Sequence, residues 1–417
     1  MTGPGAPPRR NAALAFIFVT ILLDMLALGM VVPVFPKLIE DFLGGNTAGA
    51  ARIYGYFSVV WAFMQFLSMP VMGALSDRFG RRPVILISNF GLGIDYIVMA
   101  LAPNLSWLLA GRILSGISAA SISTGTAYVA DVTPPEKRSA AFGLIGVAFG
   151  AGFVLGPAIG GMLGSIDARL PFWAAAAFSL ANGCYGLMIL PESLPLELRR
   201  PFDWRRANPL GSLKLLRSHP ELTGLASVSF LANLAHNSLP AIFVLYTMYR
   251  YDWTQKAIGL TLAAVGVTAA LVQGVLVGPT VGRFGERRTL LIGLAMGAIG
   301  FAVYAFATNG TTFLVGVPIV GLCGLAGPAV QSLMSRLVKA SEQGELQGAI
   351  GALFGITAMV GPGLFTQVFA ASIDEHARWP FPGAAFLVAA ALMLAAMIVS
   401  LRVSREAALA APGAAKP

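Results

Sequence analysis

Charge is scarce in this 417-residue chain: Asp, Glu, Lys and Arg make up 11% of it, against about 25% in an ordinary soluble domain. At 56% hydrophobic, the chain has too few polar groups to face water on every side. Its solvent is therefore lipid, and a soluble globular fold is excluded. Cysteine is nearly absent. Cys184 and Cys323 both lie inside apolar runs, without metal-ligand spacing or a nearby histidine, and read as small packing residues. The absence of a Walker lysine motif argues against an ATP-driven pump. No nucleophile–base pair stands out, which argues against an enzyme. A cleavable leader is missing too. Arg9-Arg10 precedes an apolar run from Asn11 to Phe35 that is too long for a signal peptide and lacks a small-residue cleavage site. That run is expected to remain as a first helix.

Long apolar runs are what the chain has instead. A membrane helix needs about 20 mostly apolar residues. Twelve windows qualify: 12–35, 52–74, 84–102, 106–129, 139–165, 170–191, 223–247, 257–281, 289–308, 311–333, 347–372 and 380–402. They predict an all-α membrane protein with twelve transmembrane helices. The only long polar stretch, within 192–222, carries Arg199, Arg200, Arg205, Arg206, Lys214 and Arg217 and separates an N-terminal bundle over 1–191 from a C-terminal one over 223–417. With both termini and this linker on one side, the opposite side keeps only Lys37, Arg52, Arg169, Arg250, Lys256 and Arg378. The positive-inside rule then places both termini and the linker in the cytoplasm. The net charge of +9 follows from the same loops, so no nucleic-acid partner is implied.

The two bundles repeat each other. Gly73-x4-Arg78-Phe79-Gly80-x-Arg82 matches Gly278-x4-Arg283-Phe284-Gly285-x-Arg287, and Gly143, Gly146 and Gly156-Pro157 match Gly348, Gly351 and Gly361-Pro362 at the same offset of 205 residues. Two separate stretches sharing one offset point to duplication of a six-helix unit. Parallel halves related by an axis along the membrane normal are an architecture of secondary transporters, with the substrate site between the halves.

Three charges sit deep in apolar windows: Asp24, Asp95 and Arg112, all in the first half. A charge at the bilayer centre costs roughly 2.5–3.5 kcal/mol even on the lenient insertion scale. The residues therefore form either a proton-coupling site, with the arginine tuning an acid, or a buried structural ion pair. The charged hairpin holds Asp77, Arg78, Arg81 and Arg82. Its arginines serve topology, whereas an acid in a positive loop works against it. Asp77 could bind a helix N-terminus and so latch one conformation; its repeat position is Gly282. Gly152, Gly156 and Gly160 share one face of the fifth helix, with Pro157 and Gly161 beside them. That face is both a close-packing surface and a candidate gating seam. The polar residues Gln65, Asn89, Asn233, His236, Asn237, Gln273 and Gln331 are candidate substrate-cavity residues, with Tyr128 and Phe243 as aromatic candidates.

These residues resemble a known family. Asp77-Arg78-Phe79-Gly80-Arg81-Arg82-Pro83 looks like the inner-loop motif of the major facilitator superfamily, and Gly111-Arg112-Ile113-Leu114-Ser115-Gly116 resembles its fourth-helix motif. Gly152 to Gly161 is similar to the antiporter motif of its drug exporters. Leu22-Leu23-Asp24, Asp95-Tyr96 and Gln343-Gly344-Glu345-Leu346-Gln347-Gly348 are most like the tetracycline–proton antiporter branch. Aligned on the second hairpin, Ala269 and Gly297 stand where well-known members of that branch carry a histidine and an aspartate. The resemblance implies a proton-coupled efflux antiporter of a drug-like amphipathic compound, multi-pass in the bacterial inner membrane. Asp24, Asp95 and Arg112 would be its coupling residues and Asp77 its latch. The alternatives are a multidrug or metabolite exporter, or a proton-coupled importer or facilitator. The proton gradient would be the energy source, with no cofactor and no metal; the partners would be substrate, protons and lipid. Two fused halves need no second chain, so a monomer is expected.

Overall fold

The computed structural model describes residues 9–119, 121–134, 137–199, 215, 220–339, 342–377 and 380–410. Arg200, Arg205, Arg206, Lys214 and Arg217 of the expected linker, and Arg378, lie outside the described residues. Every regular element among the described residues is a helix. The first part of the chain forms α1 (Arg9–Val31), α2 (Phe35–Phe42), α3 (Thr47–Phe79), α4 (Arg81–Leu101), α5 (Leu105–Ser118), α6 (Ser121–Val132), α7 (Arg138–Gly164) and α8 (Leu170–Ile189). The second part forms α9 (Pro220–His236), α10 (Ser238–Tyr251), α11 (Gln255–Leu271), α12 (Val277–Phe306), α13 (Gly310–Gly321), α14 (Ala326–Arg336), α15 (Gln343–Ile373) and α16 (Ala384–Ala410).

Among the described residues, ten helical stretches are long and apolar enough to cross a membrane. They differ in detail from the twelve windows read from hydropathy. The fourth window is divided between α5 and α6, neither of which reaches membrane length alone. The eighth and ninth windows join in one 52-residue run, Gln255–Phe306. That run holds a π-helical turn at Val272–Leu276 and a non-helical Gly285. Each deviation has a local cause. Gly80 (φ 104°) and Gly285 (φ 77°) lie in the left-handed half of the map, which only glycine enters without cost. Gly80 thereby separates α3 from α4, and Gly285 breaks α12 at the matching repeat position. The repeat also extends to a cap that hydropathy does not reveal. Asn104 accepts from the Ser106 and Trp107 amides to start α5, and Asn309, 205 residues on, accepts from the Thr312 amide to start α13.

The described residues group into two compact units. One takes the chain up to Phe42, Val60–Asn208 and Thr254–Ala263. The other takes Leu43–Val59, Pro209–Trp253 and the chain from Ala264 onward. In the first unit, α1 packs mainly on α7 and α8, and α4 on α8, α5 and α6. Its core joins Phe16, Ile17, Ile21 and Met25 of α1 to Ile85, Tyr128, Val129, Ile145 and Ala148. In the second, the core is aromatic. The Tyr304 and Phe313 rings stack at 4.2 Å, and the Tyr246 and Phe386 rings meet at 5.0 Å. Two phenols there donate to carbonyls, Tyr246 to Tyr304 O at 3.1 Å and Tyr251 to Ala307 O at 2.9 Å, which makes their burial affordable.

Candidate functional site

Asp24 lies on the buried face of α1, 5% exposed, and Asp95 on the buried face of α4, fully inaccessible. Both belong to the first unit. Asp24 lines a small enclosed cavity of about 50 Å³ with Met25, Leu28, Trp61, Gln65, Leu92, Tyr96, Ser115 and Ala119. A space of that size takes a few water molecules and is far below the roughly 300–1,000 Å³ of a drug-sized pocket. Tyr96 lies in the electrostatic field of Asp24, Asp95 and Arg112 together. The three charges singled out from the sequence therefore share one neighbourhood.

Within it, Asp95 and Arg112 do not form a close bidentate pair. Asp95 has Ser115 as a polar neighbour and feels Arg112 through its charge, while Arg112 Nε has no hydrogen-bond partner among the described residues. Arg112 instead places its guanidinium 4.3 Å from the centre of the Phe35 ring and an Nη 3.5 Å from Met99 Sδ. A guanidinium stacked on an aromatic face is partly compensated for lost hydration. Asp24 is held differently. Asn182 of α8 donates its amide to Asp24 Oδ1 at 3.3 Å and to the Thr20 carbonyl at 3.3 Å, while the Thr20 hydroxyl donates to Asn182 Oδ1 at 3.1 Å. The sequence carries no signal for this residue: an asparagine in an apolar window looks like any other small polar residue.

The hairpin around Gly80 is a network within the first unit. Asp77 pairs with Arg81 at 2.5 Å, and Arg81 also reaches Asp131 at 3.2 Å and the Ser76 hydroxyl at 2.6 Å. Arg82 donates to the Leu187 carbonyl at 2.8 Å. The N-terminus of α4 is capped by Glu192, which accepts from the Arg81 amide at 2.8 Å and the Arg82 amide at 3.3 Å. An anion belongs there because the first-turn amides are unpaired and the helix dipole is positive. Arg78 is exposed, its guanidinium 5.0 Å from the centre of the Phe79 ring. Asp131 and Glu192 were not legible as members of this network.

The second hairpin answers with reversed polarity. Glu286 and Arg336 stand 205 residues after Arg81 and Asp131, and they pair at 2.5 Å, with the Ser332 hydroxyl donating to Glu286 at 2.6 Å. The same two positions are bridged in both repeats, with acid and base exchanged.

The glycine face of α7 packs on α1. A methyl group on Gly156 would come within 2.8–3.0 Å of the Gly29 backbone, and one on Gly160 would collide with the Met30 backbone. Gly161 faces Gln255 and Gly259 of α11 instead. In the second unit, Asn233 donates to the Ser229 carbonyl and Asn237 to the Asn233 carbonyl, both at 2.8 Å, so their amides serve the helix backbone. His236 is exposed where α9 ends, next to the half-buried Asn233 and Asn237. Gln331 bonds Gln347 at 3.0 Å, and exposed Gln273 sits in the π-helical turn. Asn89 is fully buried with both amide atoms unpartnered among the described residues. Tyr128 and Phe243 are packed in the two cores. A side chain on Gly297 would meet Met393 Sδ at 3.1 Å and Cys323 Cβ at 3.3 Å, so that position is a packing contact. Just beyond the end of α15, Asp374 accepts from Arg52 at 2.7 Å at the rim of an open surface depression of the second unit.

A profile of the Major Facilitator Superfamily matches residues 17–277 and 225–417. The class C tetracycline resistance protein of Escherichia coli is 40% identical over 386 residues, 93% of this chain and 96% of that protein. The class G tetracycline resistance protein of Vibrio anguillarum is 35% identical over 373 residues, 89% of this chain and 93% of that protein. Among solved structures, the human organic anion transporter MFSD10 (TETRAN) aligns with a TM-score of 0.68 at 26% identity, covering 95% of this chain and 100% of that one.

Proposed function

The chain belongs to the major facilitator superfamily and is a multi-pass membrane transporter, and on that premise we propose that it is a proton-coupled antiporter exporting a tetracycline-like amphipathic compound. The proposed setting is the bacterial inner membrane, with twelve crossings and both termini in the cytoplasm. The observation that carries the reading is the grouping of two buried carboxylates, Asp24 and Asp95, and Arg112 in a single unit, with Asp24 on a water-sized cavity. Buried acids of this kind are costly unless they move protons or hold partners. The cavity is too small for the exported compound, so it serves the proton. Taking up and releasing that proton biases the exchange between inward- and outward-open forms. The tetracycline resistance proteins among the relatives supply the substrate class.

Resistance in an efflux-deficient bacterial host, compared for the wild type and Asp24→Asn, tests the coupling role. Loss of resistance at equal membrane abundance is expected, and unchanged resistance would sink it. Everted vesicles given an inward-acid gradient should accumulate tetracycline; no uptake there, with uptake in right-side-out vesicles, would point to an importer. A broader organic-anion exporter is the second reading, favoured by the likeness to the human organic anion transporter. A growth screen against an anionic compound panel separates the two.

A further inference from the structure

We propose that Asn182 is a positioning residue for the coupling acid: its amide holds Asp24 in one rotamer and sets the pH at which that acid exchanges its proton. This rests on the coupling role proposed above for Asp24.

The amide orientation follows from the partners. The Thr20 carbonyl can only accept, so the Asn182 atom facing it at 3.3 Å is the NH2 group. That same group reaches Asp24 Oδ1 at 3.3 Å. The Thr20 hydroxyl closes the arrangement on Asn182 Oδ1 at 3.1 Å. Thr20 therefore locks Asn182 with a donor toward Asp24. Thr20, Asp24 and Asn182 are all at least 95% buried, and of the three Asp24 alone lines the small cavity.

The repeat argues that this polar triad is not there for the fold. At the offset of 205 residues, Thr20, Asp24 and Asn182 become Leu225, Ser229 and Leu387. The second unit builds the corresponding helices with two leucines, so an asparagine is not needed to dock α8 on α1. The triad coincides with the half that carries the buried charges. Asp95 and Arg112 likewise become Gly300 and Val317 in the second half.

The groups that can influence Asp24 come from several elements. From α4 these are Asp95 and Tyr96, and from α5 it is Arg112. The α3 wall of the cavity offers Trp61 and Gln65, which do not ionise. After Arg138, α7 carries no ionisable side chain. On α6 the Tyr128 hydroxyl donates to the Pro191 carbonyl at 3.0 Å, and Asp131 is engaged by Arg81. On α8 the remaining candidates are Cys184 and Tyr185, the latter stacked on Phe16 at 5.1 Å. Asn182 donates directly to Asp24. A donor to the ionised acid favours that form.

The test is infrared titration of the full chain in lipid nanodiscs, following the carboxyl stretch that disappears in Asp24→Asn. Asn182→Leu, the residue the second repeat carries, should move the midpoint of that band upward by about one pH unit, a tenfold change in proton activity. Thr20→Val should move it in the same direction by less. Asn182→Gln, with a longer amide, should recover part of the wild-type midpoint. An unchanged midpoint in Asn182→Leu would overturn the inference while leaving the Asp24 reading intact. Loss of resistance in Asp24→Asn, measured separately, decides that reading, so the two failures are distinguishable. If Asn182→Leu does not fold, the Thr20→Val midpoint decides, and no shift there overturns the proposal.

Discussion

Exchanging the charges of Arg81 and Asp131 should convert the first hairpin toward the chemistry of the second. Arg81 lies 3.2 Å from Asp131, with 12% and 24% of their side-chain surfaces exposed. At that distance and an effective dielectric of about 20, Coulomb's law gives roughly 5 kcal/mol of gross attraction. Desolvation offsets most of it, leaving a coupling of about 1–3 kcal/mol. Asp131→Arg alone sets two cations together, and Arg81→Glu alone sets an acid among Asp77, Asp131 and Glu192, so each should be destabilising. The double variant Arg81→Glu, Asp131→Arg recreates the Glu286–Arg336 arrangement but leaves Asp77 beside the new acid. Adding Asp77→Gly, as at Gly282, removes that repulsion. The triple variant should then regain most of the stability, while transport stays low if Asp77 is a latch. Melting of the detergent-purified protein measures this, since about 1 kcal/mol corresponds to roughly 2–4 °C in a unit of this size. If the double-variant cycle is additive within about 0.5 kcal/mol, the bridge contributes nothing and the reasoning fails.

Asp95→Asn should raise the melting temperature while abolishing transport. It removes a buried carboxylate whose polar neighbour is Ser115, while Arg112 keeps its contacts with Phe35 and Met99; a lower melting temperature would show a structural pair with Arg112 instead. Gly156→Ala should cost about 1–3 kcal/mol by overpacking, because the obstacle is the Gly29 backbone, whereas Gly150→Ala on the same helix meets nothing within 4 Å and should be neutral. Fluorescence-detected size exclusion after heating distinguishes them. At Asp374 the Arg52 guanidinium holds the carboxyl below the usual carboxylate range. A depressed group contributes above its unfolded value and loses that contribution only as pH falls through its folded one. The stability difference between wild type and Asp374→Asn should therefore hold above about pH 4 and shrink as pH falls below it; a difference that does not change on acidification would mean the pair is not formed.

Much of the helix layout was legible because apolar length is a local property. The repeat was legible as well, since its markers (Gly80 and Gly285 above all) answer local backbone demands at a fixed offset. The breaks were harder to read. The window over 106–129 looks continuous in hydropathy, yet α5 ends at Ser118 and α6 begins at Ser121. The run through Gly285 is two helices, as hydropathy reads it, and they meet at a kink because a single positive-φ glycine turns the chain without a loop. The candidate cavity residues divide in space, which periodicity does not show: Gln65 lines the small cavity, whereas Tyr128 and Phe243 are buried in the two cores.

By itself the sequence determined that the chain lives in lipid, that it is built twice, and that its buried charges lie in the first half. These follow from composition, periodicity and residue identity, which need no knowledge of distant neighbours. Only the tertiary structure decided who meets whom. Asn182 reaches Asp24 across 158 positions, Glu192 caps α4 across 111, and Arg112 turns to Phe35 rather than closing on Asp95. Those pairings depend on how α1, α4, α5 and α8 pack, and packing is set by the sum of many contacts that no single stretch of sequence contains.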